Sequence, residues 1–130
     1  MYTVYLVDND TLEIEKTIEA FTQQPDIEVI GSSSNSKVAL NEIVALRPNL
    51  VVSDLYMRNI GGIRLMNALK ASGADCEFVI LTHSWSSEAM RDFFQAGGFD
   101  FLLKPLDSQA IEDVLSRLKE HNKLKNVCKN

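Results

Sequence analysis

The stretch LVVSDLYMRNIGG, Leu50–Gly62, decides the fold. Leu50–Ser53 reads as a short buried strand that ends on an acid, Asp54. A polar loop follows, and Gly61-Gly62 turns the chain into a segment where Ile63, Leu65, Met66 and Leu69 recur at helical spacing. Strand, loop and helix in that order form one unit of an alternating α/β chain.

The same alternation extends in both directions. Upstream, Tyr2–Val7 reads as a strand, and Leu12, Ile14, Ile18 and Phe21 place a helix over Thr11–Gln23. Ile27–Ile30 is a second strand, followed by a Ser-rich turn. Val38, Leu40, Ile43, Val44 and Leu46 mark a helix that Pro48 stops. Downstream, Phe78–Leu81 is a continuous apolar run, the mark of a strand covered on both faces. Ser86–Ala96 is a helix closed by Gly97-Gly98. Phe99–Leu103 is the fifth strand and ends at Lys104-Pro105. Asp107 then caps a last helix through about Glu120. Five strands alternating with five helices predict a doubly wound α/β fold, a parallel sheet with helices on both faces.

The bulk numbers agree. A chain of 130 residues suits one domain, and 45% hydrophobic with 24% charged residues is an ordinary globular balance. The formal net charge of -5 disfavours a broad nucleic-acid surface. No helix-turn-helix or effector segment is evident, so no direct nucleic-acid binding is expected. No apolar run approaches the roughly 18 residues that span a bilayer, and MYTVYLVDND has no basic stretch ahead of its apolar run, so no membrane association or signal peptide is expected. Cys76 and Cys128 lie far apart without metal-type spacing, which predicts free thiols in a reducing compartment, the cytoplasm. The terminal HNKLKNVCKN, residues 121–130, is polar and basic. It reads as a linker or a frayed helix end, with a small anion-binding arm as the alternative.

In an open α/β sheet, ligands bind beyond the carboxyl ends of the strands. The first strand delivers Asp8-Asn9-Asp10 there, the third Asp54, the fourth Thr82 and the fifth Lys104. Each has a plain structural use alone; Asp10, three residues before Glu13, is a ready capping box. Together they make chemical sense. Clustered carboxylates favour a hard cation such as Mg²⁺, and an aspartate can attack phosphorus in line to give an acyl phosphate. Thr82 can then hydrogen-bond one phosphoryl oxygen while Lys104 pairs with another.

On LVDND, VVSDLYMRNIGG, ILTH and FLLKP, over about residues 2–120, the chain resembles the response-regulator receiver family of two-component signalling. The resemblance implies a flavodoxin-like strand order, 2-1-3-4-5, and a receiver domain over 1–120. It implies Asp54 as phosphoacceptor, and Mg²⁺ held by Asp8, Asn9, Asp54 and the Tyr56 carbonyl, with Asp10 a further candidate. Thr82 and Lys104 become phosphate-sensing switch residues, and Phe101 the aromatic whose rotation reports the phosphorylated state. The implied partners are a sensor histidine kinase or phosphotransfer protein and a downstream output domain or protein. A homodimer through the face of the fourth helix, fifth strand and fifth helix is also implied.

The chain departs from the family at three positions. Asn9 replaces an acid, which predicts weaker Mg²⁺ binding; Arg58 replaces a proline and adds a charge; His83 replaces a small residue and narrows access, as Tyr56 also does. These departures keep open a pseudo-receiver, an interaction module without phosphoryl transfer. From another class, Asp8-x-Asp10-Thr11 echoes haloacid-dehalogenase-type phosphatases with Asp8 as nucleophile and Asp10 as acid/base. That alternative leaves Asp54 without a role and lacks the family's later acidic pair.

Overall fold

A strand whose side chains are apolar on both faces is stable only between two layers of cover. β3 (Leu50–Asp54), buried along its first four residues, lies in the sheet between β1 (Tyr2–Val7) and β4 (Glu77–Thr82), with helices covering both of its faces. β2 (Ile27–Ser33) and β5 (Asp100–Leu103) form the edges of a five-stranded sheet of order β2-β1-β3-β4-β5, parallel throughout. The structure, a computed structural model, describes the backbone of residues 1–129 and the side chains of residues 1–123.

Successive side chains along each strand point to opposite faces and build two cores. On one face Tyr5, Val7, Val51, Phe78 and Ile80 pack against α2 (Ser36–Leu46), α3 (Gly62–Ala71) and α4 (Ser87–Gln95). On the other, Val4, Leu6, Leu50, Val52, Val79 and Leu81 meet α1 (Thr11–Thr22) and α5 (Ser108–Lys129). Fully buried side chains such as Phe21, Phe93 and Leu65 each stabilise the fold by about 1.5–3 kcal/mol. The result is the expected three-layer, flavodoxin-like arrangement.

Local chemistry fixes the helix ends. Asp10 accepts from the Leu12 N–H at 2.9 Å at the start of α1, Ser86 from Ala89 N–H at 3.2 Å at α4, and Asp107 from Gln109 N–H at 3.1 Å at α5. Gly62 opens α3 because its backbone lies against the ends of β3 and β4. A Cβ there would stand 2.7 Å from Ile80 Cδ1 and 2.8 Å from the Asp54 carbonyl oxygen. No helix among the described residues is long and apolar enough to cross a membrane.

Two element ends differ from expectation. β2 does not stop at Ile30; Gly31, Ser32 and Ser33 continue it, pairing with Tyr5, Leu6 and Val7 after a register shift between Val4 and Tyr5. Gly31 lets the Tyr5 ring lie against the edge strand, and ladder hydrogen bonds do not need apolar side chains. α5 likewise does not stop near Glu120 but runs from Ser108 to Lys129. Lys, Asn, Glu and Leu are compatible with helix without marking a buried face, so periodicity fades before the helix does. Cys76 is a free, half-buried thiol. Burial first, then the nearby Glu77 and Asp75 charges, push it up to about 11. Cys128 lies outside the described side chains.

Candidate functional site

Parallel register decides which polar residues meet. Asp54 pairs with Leu81, and Thr82 with Leu103, so the carboxyl ends of β3, β4 and β5 finish on one rim. Asp8, immediately after β1, reaches the same rim, and Lys104 follows β5. Lys104 Nζ donates to Asp8 Oδ2 at 2.7 Å and lies 3.4 Å from Asp54 Oδ2. The side chains of Lys104 and Asp8 are 3% and 5% exposed, and that of Asp54 is 16% exposed. Burial opposes the Lys104 charge, but the Asp8 hydrogen bond and the Asp54 and Asp8 charges outweigh it and hold the amine above the ordinary lysine value. A buried ammonium between two carboxylates is thus the electrostatic centre of the rim.

The two acids differ in their remaining partners. Asp8 Oδ1 accepts the Asp10 N–H at 3.0 Å, so both of its oxygens are engaged in a buried setting. Asp54 Oδ1 accepts only the Tyr56 N–H, at 3.3 Å among the described contacts, and its carboxylate is the more open of the two. Asp10 is exposed and caps α1; it is not within ion-pair distance of Lys104. The reciprocal arm of a capping box is absent, because the Asp10 N–H is taken by Asp8 instead of Glu13.

Asn9 does something the sequence did not suggest. Its Nδ2 donates to the Tyr56 carbonyl at 2.7 Å, and its Oδ1 accepts the Arg58 N–H at 3.1 Å. Arg58 therefore meets Asn9 through its backbone, while its side chain is exposed. Thr82 is buried, and its hydroxyl exchanges hydrogen bonds with the backbone of Ser84, both at 3.2 Å, without reaching Asp54. His83 is exposed and borders a groove of about 250 Å³ with Glu13, Lys16, Lys104 and Pro105. Phe101 is half-buried and packs against Trp85 at a tilt of 59°, with ring centroids 4.9 Å apart, and meets Phe94 edge-on at 6.5 Å. Trp85, 56% exposed, belongs to no motif in the sequence. Its one signal was position: the chain's only tryptophan sits three residues after a strand end, just before a helix cap.

Among the described residues, no group of three or more His, Cys, Asp and Glu side chains converges on a metal position. The Asp8 and Asp54 carboxylates meet at Lys104 Nζ, and the Tyr56 carbonyl on the adjoining loop accepts from Asn9. Two anionic hard oxygens and a carbonyl fit Mg²⁺, which is commonly held by one or two carboxylates and completed by water and phosphate oxygens.

The response regulator receiver domain family matches residues 4–116. The chain belongs to this family. A response regulatory protein of Vibrio cholerae serotype O1 is 31% identical over 125 residues, 95% of this chain and 51% of that protein. The transcriptional regulatory protein BtsR of Escherichia coli K12 is 28% identical over 127 residues, 98% of this chain and 52% of BtsR. The receiver domain thus spans about half the length of the curated relatives it matches. Solved structures confirm the fold. The receiver domain of AraT from Geobacillus stearothermophilus superposes with a TM-score of 0.84 at 21% identity, covering 96% of this chain and 98% of that one. Chemotaxis protein CheY4 of Vibrio cholerae gives 0.80 at 19% identity, covering 91% and 98%. A receiver domain is a signalling domain of two-component response regulators and not a conventional enzyme.

Proposed function

We propose that this receiver domain accepts a phosphoryl group on Asp54 from a histidine kinase or phosphotransfer protein. The observation that carries the reading is the contrast between the two rim acids. Asp54 ends the central strand with its carboxylate partly open, whereas Asp8 is buried with both oxygens bonded. A nucleophile must reach phosphorus, so Asp54 takes that role and Asp8 does not. The same contrast argues against Asp8-centred phosphatase chemistry.

In this step an Asp54 oxygen forms a bond to phosphorus while the bond from phosphorus to the donor's imidazole nitrogen breaks, and the imidazole leaves with its electron pair. Asp8, Asp54 and the Tyr56 carbonyl would hold Mg²⁺. When bound, the ion neutralises charge on the transferring group. Lys104 offers its ammonium to a phosphoryl oxygen, and Thr82 gives up Ser84 to bond another. The new charge draws both residues toward position 54 and frees Phe101 to change rotamer. The face of α4, β5 and α5 then alters its affinity for an output domain, an output protein or a second copy. His83 and the exposed Tyr56 restrict the approach of water and donor. Residues 1–120 act as the receiver domain; α5 continues past this boundary, with His121 still packed against Phe99 and 3.2 Å from Glu77. The setting is cytoplasmic, without direct nucleic-acid contact by this domain.

A second reading, a phosphorylation-independent interaction module, is favoured by one observation: Asn9 already bridges the loop that a cation would hold. Incubation with a phosphorylated donor and Mg²⁺ separates the two. Label on the wild type and none on Asp54→Ala supports phosphotransfer; an unlabelled wild type supports the interaction module, and equal labelling of both removes Asp54 as acceptor.

A further inference from the structure

The Asn9 side chain joins two loops that are distant in sequence. Its amide spans the Tyr56 carbonyl and the Arg58 N–H, fixing the segment after Asp54 to the segment after β1. The orientation of the amide is chemically determined. A carbonyl can only accept and a backbone N–H can only donate, so the reversed amide would oppose oxygen to oxygen and N–H to N–H. A carboxylate at this position has no donor for Tyr56, and an alanine has neither group. Of the small side chains, asparagine alone makes both bonds as drawn.

The Tyr56 carbonyl is also one of the three oxygens that would face Mg²⁺, a role that rests on the function proposed above. An N–H at 2.7 Å places positive partial charge where a cation seeks the same oxygen. We propose that Asn9 is a latch and not a metal ligand: it orders the acceptor loop without a cation and competes with the cation for the Tyr56 carbonyl. Asn9 is a positioning residue, acting on Asp54 chemistry only through the loop. The departure from an acid at this site then has two separable effects. It removes a charge from the pocket, and it puts a hydrogen bond in the cation's way.

The two roles for Asn9 predict opposite signs. A ligand removed weakens Mg²⁺ binding, whereas a competitor removed tightens it. The test is a pair of measurements by ¹H–¹⁵N NMR on the full chain, for wild type, Asn9→Ala and Asn9→Asp. Without Mg²⁺, the Arg58 amide should exchange with solvent faster in Asn9→Ala, whose methyl group offers no acceptor, whereas Asn9→Asp keeps an oxygen for Arg58 and loses only the bond to Tyr56. With MgCl₂ titrated in, Asn9→Ala should bind about two- to tenfold more tightly than the wild type, the factor one net hydrogen bond represents. Asn9→Asp should bind more tightly still. Unchanged Arg58 exchange in Asn9→Ala overturns the latch, and Mg²⁺ affinity in Asn9→Ala equal to or below that of the wild type overturns the competition. If no form responds to Mg²⁺, the competition and the cation reading fail together, while Asp54 labelling by a phosphodonor still decides phosphotransfer by itself.

Discussion

Replacing Lys104 by methionine removes the ammonium and keeps most of the side-chain length, leaving Asp8 and Asp54 with no cation between them. At the observed separations of 2.7 and 3.4 Å, an effective dielectric constant of about 20 gives gross attractions of about 6 and about 5 kcal/mol. Most of that is offset in the wild type by the cost of burying the ammonium, so the net loss is far smaller than the sum. Stranding a buried carboxylate typically costs about 3–5 kcal/mol, and methionine packing recovers a little, which gives a destabilisation of about 3 kcal/mol at pH 7. With a urea dependence of about 1.5 kcal/mol per molar, the unfolding midpoint falls by about 2 M. The penalty depends on pH with a definite sign. The Lys104 amine is held above the ordinary lysine value of 10.5, so its contribution to folding is complete below that value and is lost as the pH rises through the raised one. The difference between wild type and variant should therefore narrow only in strong alkali. Urea unfolding in EDTA at pH 7 measures the loss. A loss below about 1 kcal/mol at pH 7 would refute the idea that Lys104 is the counter-charge of a buried acid pair.

Three further outcomes follow from single observations. Gly62→Ala places a methyl group against Ile80 and the Asp54 carbonyl, so thermal unfolding should show a loss of about 1–3 kcal/mol, together with slower phosphodonor labelling as the acceptor strand shifts. Ser86→Ala removes the α4 cap on Ala89 and should cost about 1 kcal/mol in urea unfolding, with labelling preserved. Cys76, pushed up to about 11, is only about one-thousandth thiolate at pH 8, so on a Cys128→Ser background alkylation should be slow and should accelerate about tenfold per pH unit up to pH 10.

The sequence made the central part of the fold legible because buried parallel strands carry continuous apolar runs and their ends carry unusual polarity. Val51, Val52, Val79 and Ile80 announced β3 and β4, and Asp54, Thr82 and Lys104 marked where those strands stop. Edge structure was harder to see. Gly31, Ser32 and Ser33 form strand through backbone bonds that no side-chain pattern reports, and α5 outlasts its apolar stripe. At the site, the residues that would converge were readable from topology, but their pairings were not. Lys104 chooses Asp8 as its shorter contact, Thr82 turns to Ser84, and Asn9 spends both ends of its amide on the backbone of the neighbouring loop. Such choices depend on distances of a few tenths of an ångström, which spacing in a sequence does not encode. The tilted contact of Trp85 with Phe101 belongs to the same class, since one residue follows β4 and the other lies in β5.

The central claim is that Asp54 becomes the acyl phosphate, and chemical trapping tests it most directly. Borohydride reduces an aspartyl phosphate to homoserine, which peptide mass spectrometry can assign to a position. After incubation with acetyl phosphate and Mg²⁺, followed by borohydride, homoserine should occur at position 54 and nowhere else. Homoserine at position 8 or 10, or none at any position, would contradict the account.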